Sequence, residues 1–513
     1  MTKALESDSK TDKPVEKRAA DNDQLNLVAL SQGDKGRSSD GAQKSTLDTD
    51  SFKGGSFTLA GPRGDQNTTV LDFTPDPYKS SVNRMGDRFV DKAGDKFGDK
   101  APDKSREVNQ SGDNPASKSV DERIADGRKA MNDLAEKHMT QKYPSIINGK
   151  MYSYDSYFKK DMEKFEDRVK SGDVPKEEVA RTYEAISKMV DSSTDVTSRG
   201  QRLQLAKNIM FHAGDPTSTD QGRYQTCAVT TQQERMFTRN PGQAAEIISE
   251  AATTGKWVAP DGKEIKLDRG SLKPQPESVS GQPIDGERSY ATQIMNNVLA
   301  NDIHQRKANP EYYVQLNGKD RNGRRLGEQD SGERVYGADG KEVRDPEGKK
   351  LRAPQLDDVE ISDQMKRLSG DSKAVLIHKN VVAMSQESLQ HENPAEYARQ
   401  KNNPDYGKNV NIFDDQQKFA DALKELKEQK KFPAIIGLDG GNKEIVKGLP
   451  KEAPGQPDGP TAHMLSITDY DAEKGRVRLS NQWGKASDRW ISIKALYDAA
   501  NPGNMADQKT GHR

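Results

Sequence analysis

Apolar periodicity begins only at Ser119 in this 513-residue chain, and that break decides how much of it can fold. Residues 1–118 hold 30 residues of the Ala/Val/Ile/Leu/Met/Phe/Trp/Tyr/Cys set, about 25%, and none is Trp. Ser, Asp, Lys, Gly, Asn and Thr fill the remainder in neither a helical nor a strand period. Such a segment has too little apolar surface to offset the entropy of ordering. The expectation is a disordered low-complexity tail over 1–118. Within it, Asp91-Lys92, Asp95-Lys96, Asp99-Lys100 and Asp103-Lys104 recur every four residues. That spacing suits helical charge pairs, but Gly94, Gly98 and Pro102 oppose a stable helix. The repeat reads as a solvated linker, with a partner-binding tail as the alternative.

From Ser119 onward the pattern is helical. Ser119 and Glu122 fit a capping box, and Ile124, Met131 and Leu134 come after them at helical spacing. Further helices are expected over 154–169, over 175–190 behind the first-turn residue Pro175, and over 198–212 ahead of Gly214. These make 119–215 a helical segment, read as an arm or a pro-segment packed on the domain C-terminal to it.

After Pro216 helices alternate with short β patterns. Helices are expected over 227–237, 242–254, 287–305 and 415–430. A hairpin is expected over 257–267 around Asp261-Gly262, and strands over 374–378, 434–438, 463–470, 476–479 and 490–493. Residues 317–357 are charged and Gly-rich and read as an insertion with weak hairpins or disorder. The class is α+β, helices first and strands last.

Composition removes several functions. Lys and Arg number 80 and Asp and Glu 81, a net charge of −1, so the basic footprint of a nucleic-acid binder is missing. One cysteine, Cys227, rules out an intrachain disulfide and multi-cysteine zinc sites. No apolar run reaches membrane-spanning length and the first residues lack the apolar core of a secretory signal. The expected compartment is the cytoplasm, with signal-independent export as the alternative. There is no Gly-rich phosphate loop and no His pair at metal-binding helical spacing. Asp469, Asp471 and Glu473 read as a surface turn rather than a calcium site. No cofactor or metal is expected.

Three stretches carry candidate chemistry. Cys227 stands at the start of an expected helix, a position that lowers a thiol pKa when an imidazolium is near. His463 opens an expected strand, with His212 and His378 as competitors for the same role. Asn481, in Asn481-Gln482-Trp483-Gly484, suits the third position of a nucleophile–base–orienter set. Trp483 suits a cover over that hydrogen bond. Gln221 suits an oxyanion donor together with the Cys227 N–H.

In this order the residues resemble the papain-like cysteine peptidase superfamily, including the calpain catalytic core. Gln221-Gly222 precedes Cys227 by the family's six-residue offset, and a strand-opening His is followed by an Asn-x-Trp-Gly motif, here ending in Gly484. The resemblance implies a two-lobed fold over 216–513, a helical lobe with Cys227 and an antiparallel β lobe with His463 and Asn481. It implies hydrolysis of protein or peptide amide bonds through a Cys227 thiolate paired with protonated His463. The chain departs from the pattern at Gln225, Thr226 and Ala228, and 236 residues separate Cys227 from His463, against roughly 130–150. Two other readings share the residues: a non-catalytic papain-like binding protein, and a transglutaminase-like acyl transferase.

Overall fold

The computed structural model of the protein describes residues 118–140, 142–144, 151–275, 278, 285–321, 323–327, 330–344, 348–382, 390, 398, 401–402, 410–447 and 462–501. The expected tail up to residue 117, with its repeat at 91–104, lies outside them.

The helical half starts at α1 (Val120–His138), where Ser119 and Glu122 form the expected reciprocal capping box. The short hairpin β1 (Lys142–Pro144) and β2 (Met151–Ser153) leads to α2 (Tyr154–Lys170), α3 (Lys176–Asp191) and α4 (Arg199–Gly214). Helix α5 (Cys227–Arg239) and α6 (Pro241–Thr254) come next, then the hairpin β3 (Lys256–Val258) and β4 (Glu264–Lys266), then α7 (Tyr290–His304). Met131, Phe165, Tyr183, Ile209, Ile248 and Val298 belong to one apolar core. Each such side chain contributes about 1.5–3 kcal/mol by burial. The 119–215 helices therefore share an apolar core with α6 and α7.

The expected insertion also joins that core. β5 (Glu311–Gln315) pairs antiparallel with β6 (Glu333–Gly337), from Glu311↔Gly337 to Gln315↔Glu333. Tyr313 and Val335 are buried in the helical core. Helix α8 (Asp358–Ser369) is capped by Asp357 and Glu360.

The second half is a six-stranded sheet in the order β12-β11-β10-β9-β7-β8. Its strands are β7 (Val375–His378), β8 (Asn411–Phe413), β9 (Ala434–Asp439), β10 (Ala462–Asp471), β11 (Arg476–Ser480) and β12 (Arg489–Ser492). The β9–β10, β10–β11 and β11–β12 pairs are antiparallel, but β7 is parallel to both β8 and β9. The expected antiparallel lobe is thus corrected to a mixed sheet. Helix α9 (Gln416–Glu428) is the reason, since it carries the chain from β8 across to β9, and parallel neighbours need such a crossover. The short α10 (Lys443–Val446) and α11 (Ile493–Ala500) complete this half. Phe419, Leu423, Ile436, Leu465 and Leu496 form its core. The protein is α+β.

A third apolar cluster joins the two halves. Ala228 of α5, Ile303 of α7, Val359 of α8, Val375 of β7, Ile435 of β9 and Met464 of β10 meet there, with Cys227 at its edge. Helix α5 is the element held on every side: Ala228 through Phe237 are all buried.

Candidate active site

Cys227 is the first residue of α5, and Thr226 caps the helix without a side-chain bond. The thiol lies at the edge of the seam cluster, near the backbone N–H groups of Ala228 and Met464. This first turn is fixed from α7: Asn296 Nδ2 donates to Thr226 Oγ1 at 3.0 Å and to Thr230 Oγ1 at 2.9 Å. The preceding loop is fixed from β6, where Glu333 accepts from the Gln225 N–H at 3.1 Å and from Tyr313 Oη at 2.7 Å.

Cys227 packs against the apolar cluster that includes Met464, the residue directly after His463 on β10. His463 is buried. Its Nε2 is 3.0 Å from Asn481 Oδ1; the amide oxygen can only accept, so Nε2 carries the hydrogen and Nδ1 is the free acceptor. Trp483 stacks on the imidazole with ring centroids 4.2 Å apart and planes at 17°. Asn481 is anchored in turn by its N–H, which donates to Asp488 Oδ1 at 2.9 Å.

The electrostatics differ from the expected thiolate–imidazolium pair. Burial pushes the Cys227 thiol up, with the carboxylates of Asp358 and Glu333 adding to the rise; the two backbone N–H groups pull the other way. Burial pushes His463 down to about 4 against the opposing bond from Asn481. Desolvation therefore favours the neutral thiol at Cys227 and the neutral imidazole at His463.

Gln221 is buried next to the same loop. Its N–H donates to the Gln482 carbonyl at 2.9 Å. Its Nε2 donates to the Tyr224 carbonyl at 2.8 Å while Oε1 has no partner. One Nε2 hydrogen is therefore committed, and the expected oxyanion role falls to the other. Gly222 and Gly484 let backbones close on this site. At Gly222 (φ +59°) a Cβ would lie 3.2 Å from the Arg288 N, and at Gly484 (φ +107°) 2.9 Å from the Gly286 N.

The competing histidines are engaged elsewhere. His212 is buried with Nε2 2.8 Å from Ser289 Oγ, and burial pushes it down to about 3. His378 packs against Phe413 and Tyr497. Asp471 accepts from the Lys474 N–H and pairs with Arg476, and among the described residues no acidic, His or Cys group is placed to hold a metal ion.

Several site residues gave no sequence signal. Glu234 lies seven residues beyond Cys227, fully buried, and accepts from Gln482 Nε2 at 2.9 Å. Asp488, Glu333 and Asp358 are acids that a sequence reading places on the surface. The seven-residue offset of Glu234, which returns to one helical face, was the one available hint. Compared with protein-family models, curated proteins and solved structures, the chain finds no match.

Proposed function

We propose that this chain is a cysteine-type hydrolase of protein or peptide amide bonds, with Cys227 as nucleophile, His463 as base and acid, and Asn481 orienting the imidazole. The observation that carries the reading is the buried hydrogen bond from His463 Nε2 to Asn481 Oδ1 at 3.0 Å under Trp483, on the strand whose Met464 belongs to the cluster edged by Cys227. That bond commits Nε2 to Asn481 and leaves Nδ1 to accept a proton. The helical half and the sheet then correspond to the two lobes of a papain-like fold, meeting at the seam where Cys227 lies.

Because both groups rest neutral, the thiol proton moves to Nδ1 as sulfur attacks the carbonyl carbon. The Cys227 N–H and the second Nε2 hydrogen of Gln221 are the donors for the oxyanion. His463 returns the proton to the leaving amine, then takes one from the water that attacks the thioester and passes it to the Cys227 sulfur as the C–S bond breaks. Among the described residues no helix is long and apolar enough to cross a membrane.

The test joins iodoacetamide labelling of the lone thiol with hydrolysis of dye-quenched casein and of a panel of fluorogenic peptides. Wild type should label faster than His463→Ala and release dye, and Cys227→Ala should release none. The neutral resting pair and the Gln221 bond to Tyr224 favour a second reading, a non-catalytic binding scaffold. Labelling that is identical in wild type and His463→Ala, with no hydrolysis, selects it.

A further inference from the structure

Gln482 stands between the orienting Asn481 and the stacking Trp483, and it is fully buried. Its carbonyl accepts from the Gln221 N–H at 2.9 Å. Its Nε2 donates to Glu234 Oε2 at 2.9 Å and, more weakly, to the Ser480 carbonyl at 3.4 Å. One residue thus fastens the segment beside His463 to the loop of Gln221 and to the helix of Cys227. Glu234 is the far end of that fastening. It lies seven residues from Cys227, about 10 Å along α5 at roughly 1.5 Å per residue, on nearly the same face.

We propose that Glu234 is a positioning residue: its carboxyl holds Gln482, and through Gln482 it sets Asn481 and Trp483 against His463. This rests on reading Cys227 and His463 as the reacting pair. The surroundings of Glu234 favour its neutral form. Burial and the nearby charge of Asp488 push it up to about 8, while Ser466, Gln482 and Ser480 oppose the rise. Asp220, itself pushed up by burial, also faces it. Glu234 Oε1 and Ser466 Oγ are both buried. Ser466 stands three residues beyond His463 on β10, and its hydroxyl can bond the Glu234 carboxyl in either protonation state. The neutral acid then ties α5, β10 and the Asn481–Trp483 segment together. Ionisation places a charge beside Asp488 and Asp220.

The experiment measures iodoacetamide labelling of Cys227 from pH 5 to 10 in the full chain. Each rate is divided by that of the same chain carrying His463→Ala. Wild type should show a high ratio that falls above about pH 8, where Glu234 ionises. Glu234→Gln, which still accepts from Gln482 and can bond Ser466 but does not ionise, should keep the ratio and lose the fall. Glu234→Leu should lower the ratio about tenfold at every pH, the scale of a lost buried hydrogen bond. A Leu variant with the wild-type ratio and a Gln variant with the wild-type fall overturn the proposal while leaving the reacting pair intact. A wild-type ratio of one at all pH values overturns the pair itself, and the positioning role with it. If the Leu variant does not fold, the Gln variant alone decides.

Discussion

Removing the Asn481 side-chain oxygen tests the site most directly. In Asn481→Ala the His463 Nε2–H loses an acceptor 3.0 Å away. Trp483 lies over the ring at 4.2 Å and the imidazole is buried, so water does not replace the lost bond. An orphaned buried donor costs about 1–3 kcal/mol, and each 1.4 kcal/mol is about tenfold in rate. The His463-dependent part of Cys227 labelling should therefore fall about 5- to 150-fold. The sign on pH comes from the same bond. Asn481 supports the protonated ring against burial, which already pushes His463 down to about 4. Its loss lowers that value further, and the acid limb of the labelling profile moves to lower pH. Asn481→Asp restores an acceptor and adds a negative charge, so its limb should move to higher pH. The Asn481 backbone bond to Asp488 survives in both variants, and their melting temperatures should stay close to one another. An Ala variant with the wild-type labelling ratio and profile would refute the orienting role, as would a loss that tracks unfolding alone.

Other substitutions reach the same architecture from different sides. Gly484→Ala forces a side chain onto φ +107° and a Cβ to 2.9 Å from the Gly286 N; it should cost about 1–3 kcal/mol in urea unfolding and slow labelling. Arg235 is buried on α5, donates to the Lys431 carbonyl at 2.5 Å and pairs with Asp371, so Arg235→Met should destabilise by about 3–5 kcal/mol, read as a lowered urea midpoint. Burial pushes Glu234 up to about 8 and Asp488 up to about 7, so both keep protons that the unfolded chain releases near pH 4. Their contribution is full below the unfolded values and is lost as pH rises through 7 and 8. The melting temperature of wild type relative to the double variant Glu234→Gln, Asp488→Asn should fall from pH 5 to pH 8, and a flat difference would count against the buried acids.

The helical half was legible because its signals are local. The Ser119 and Glu122 box, Pro175 and the spacing of Ile124, Met131 and Leu134 depend on neighbours within a turn or two. Strands β9 to β11 showed themselves by apolar runs between turns. The pairing of β7 with β9 was not legible, since residues 375 and 435 are joined only by the finished sheet. Strand β6 was hidden by its charge: Glu333 and Arg334 look like surface residues, yet both are buried, the first holding Gln225 and Tyr313 and the second pairing with Asp330. Cys227, His463 and Asn481 were legible as residue types in an order. The protonation of the pair was not, because desolvation depends on what the seam at Val359, Ile435 and Met464 encloses. Glu234 and Gln482 fall in the same class, two polar residues 248 positions apart that only a folded interior brings together.

The enclosure of α5 bears on how this protein opens. With Ala228 through Phe237 buried by both halves, this helix has no free side from which to fray. Its amides should be among the slowest to exchange with deuterated solvent, opening only when the two halves part. The lone sulfur at its first turn then becomes a gauge of cooperativity. In rising urea its alkylation rate should hold a native plateau and change only at the global transition, so one residue distinguishes a chain that unfolds as a unit from one that loosens in pieces.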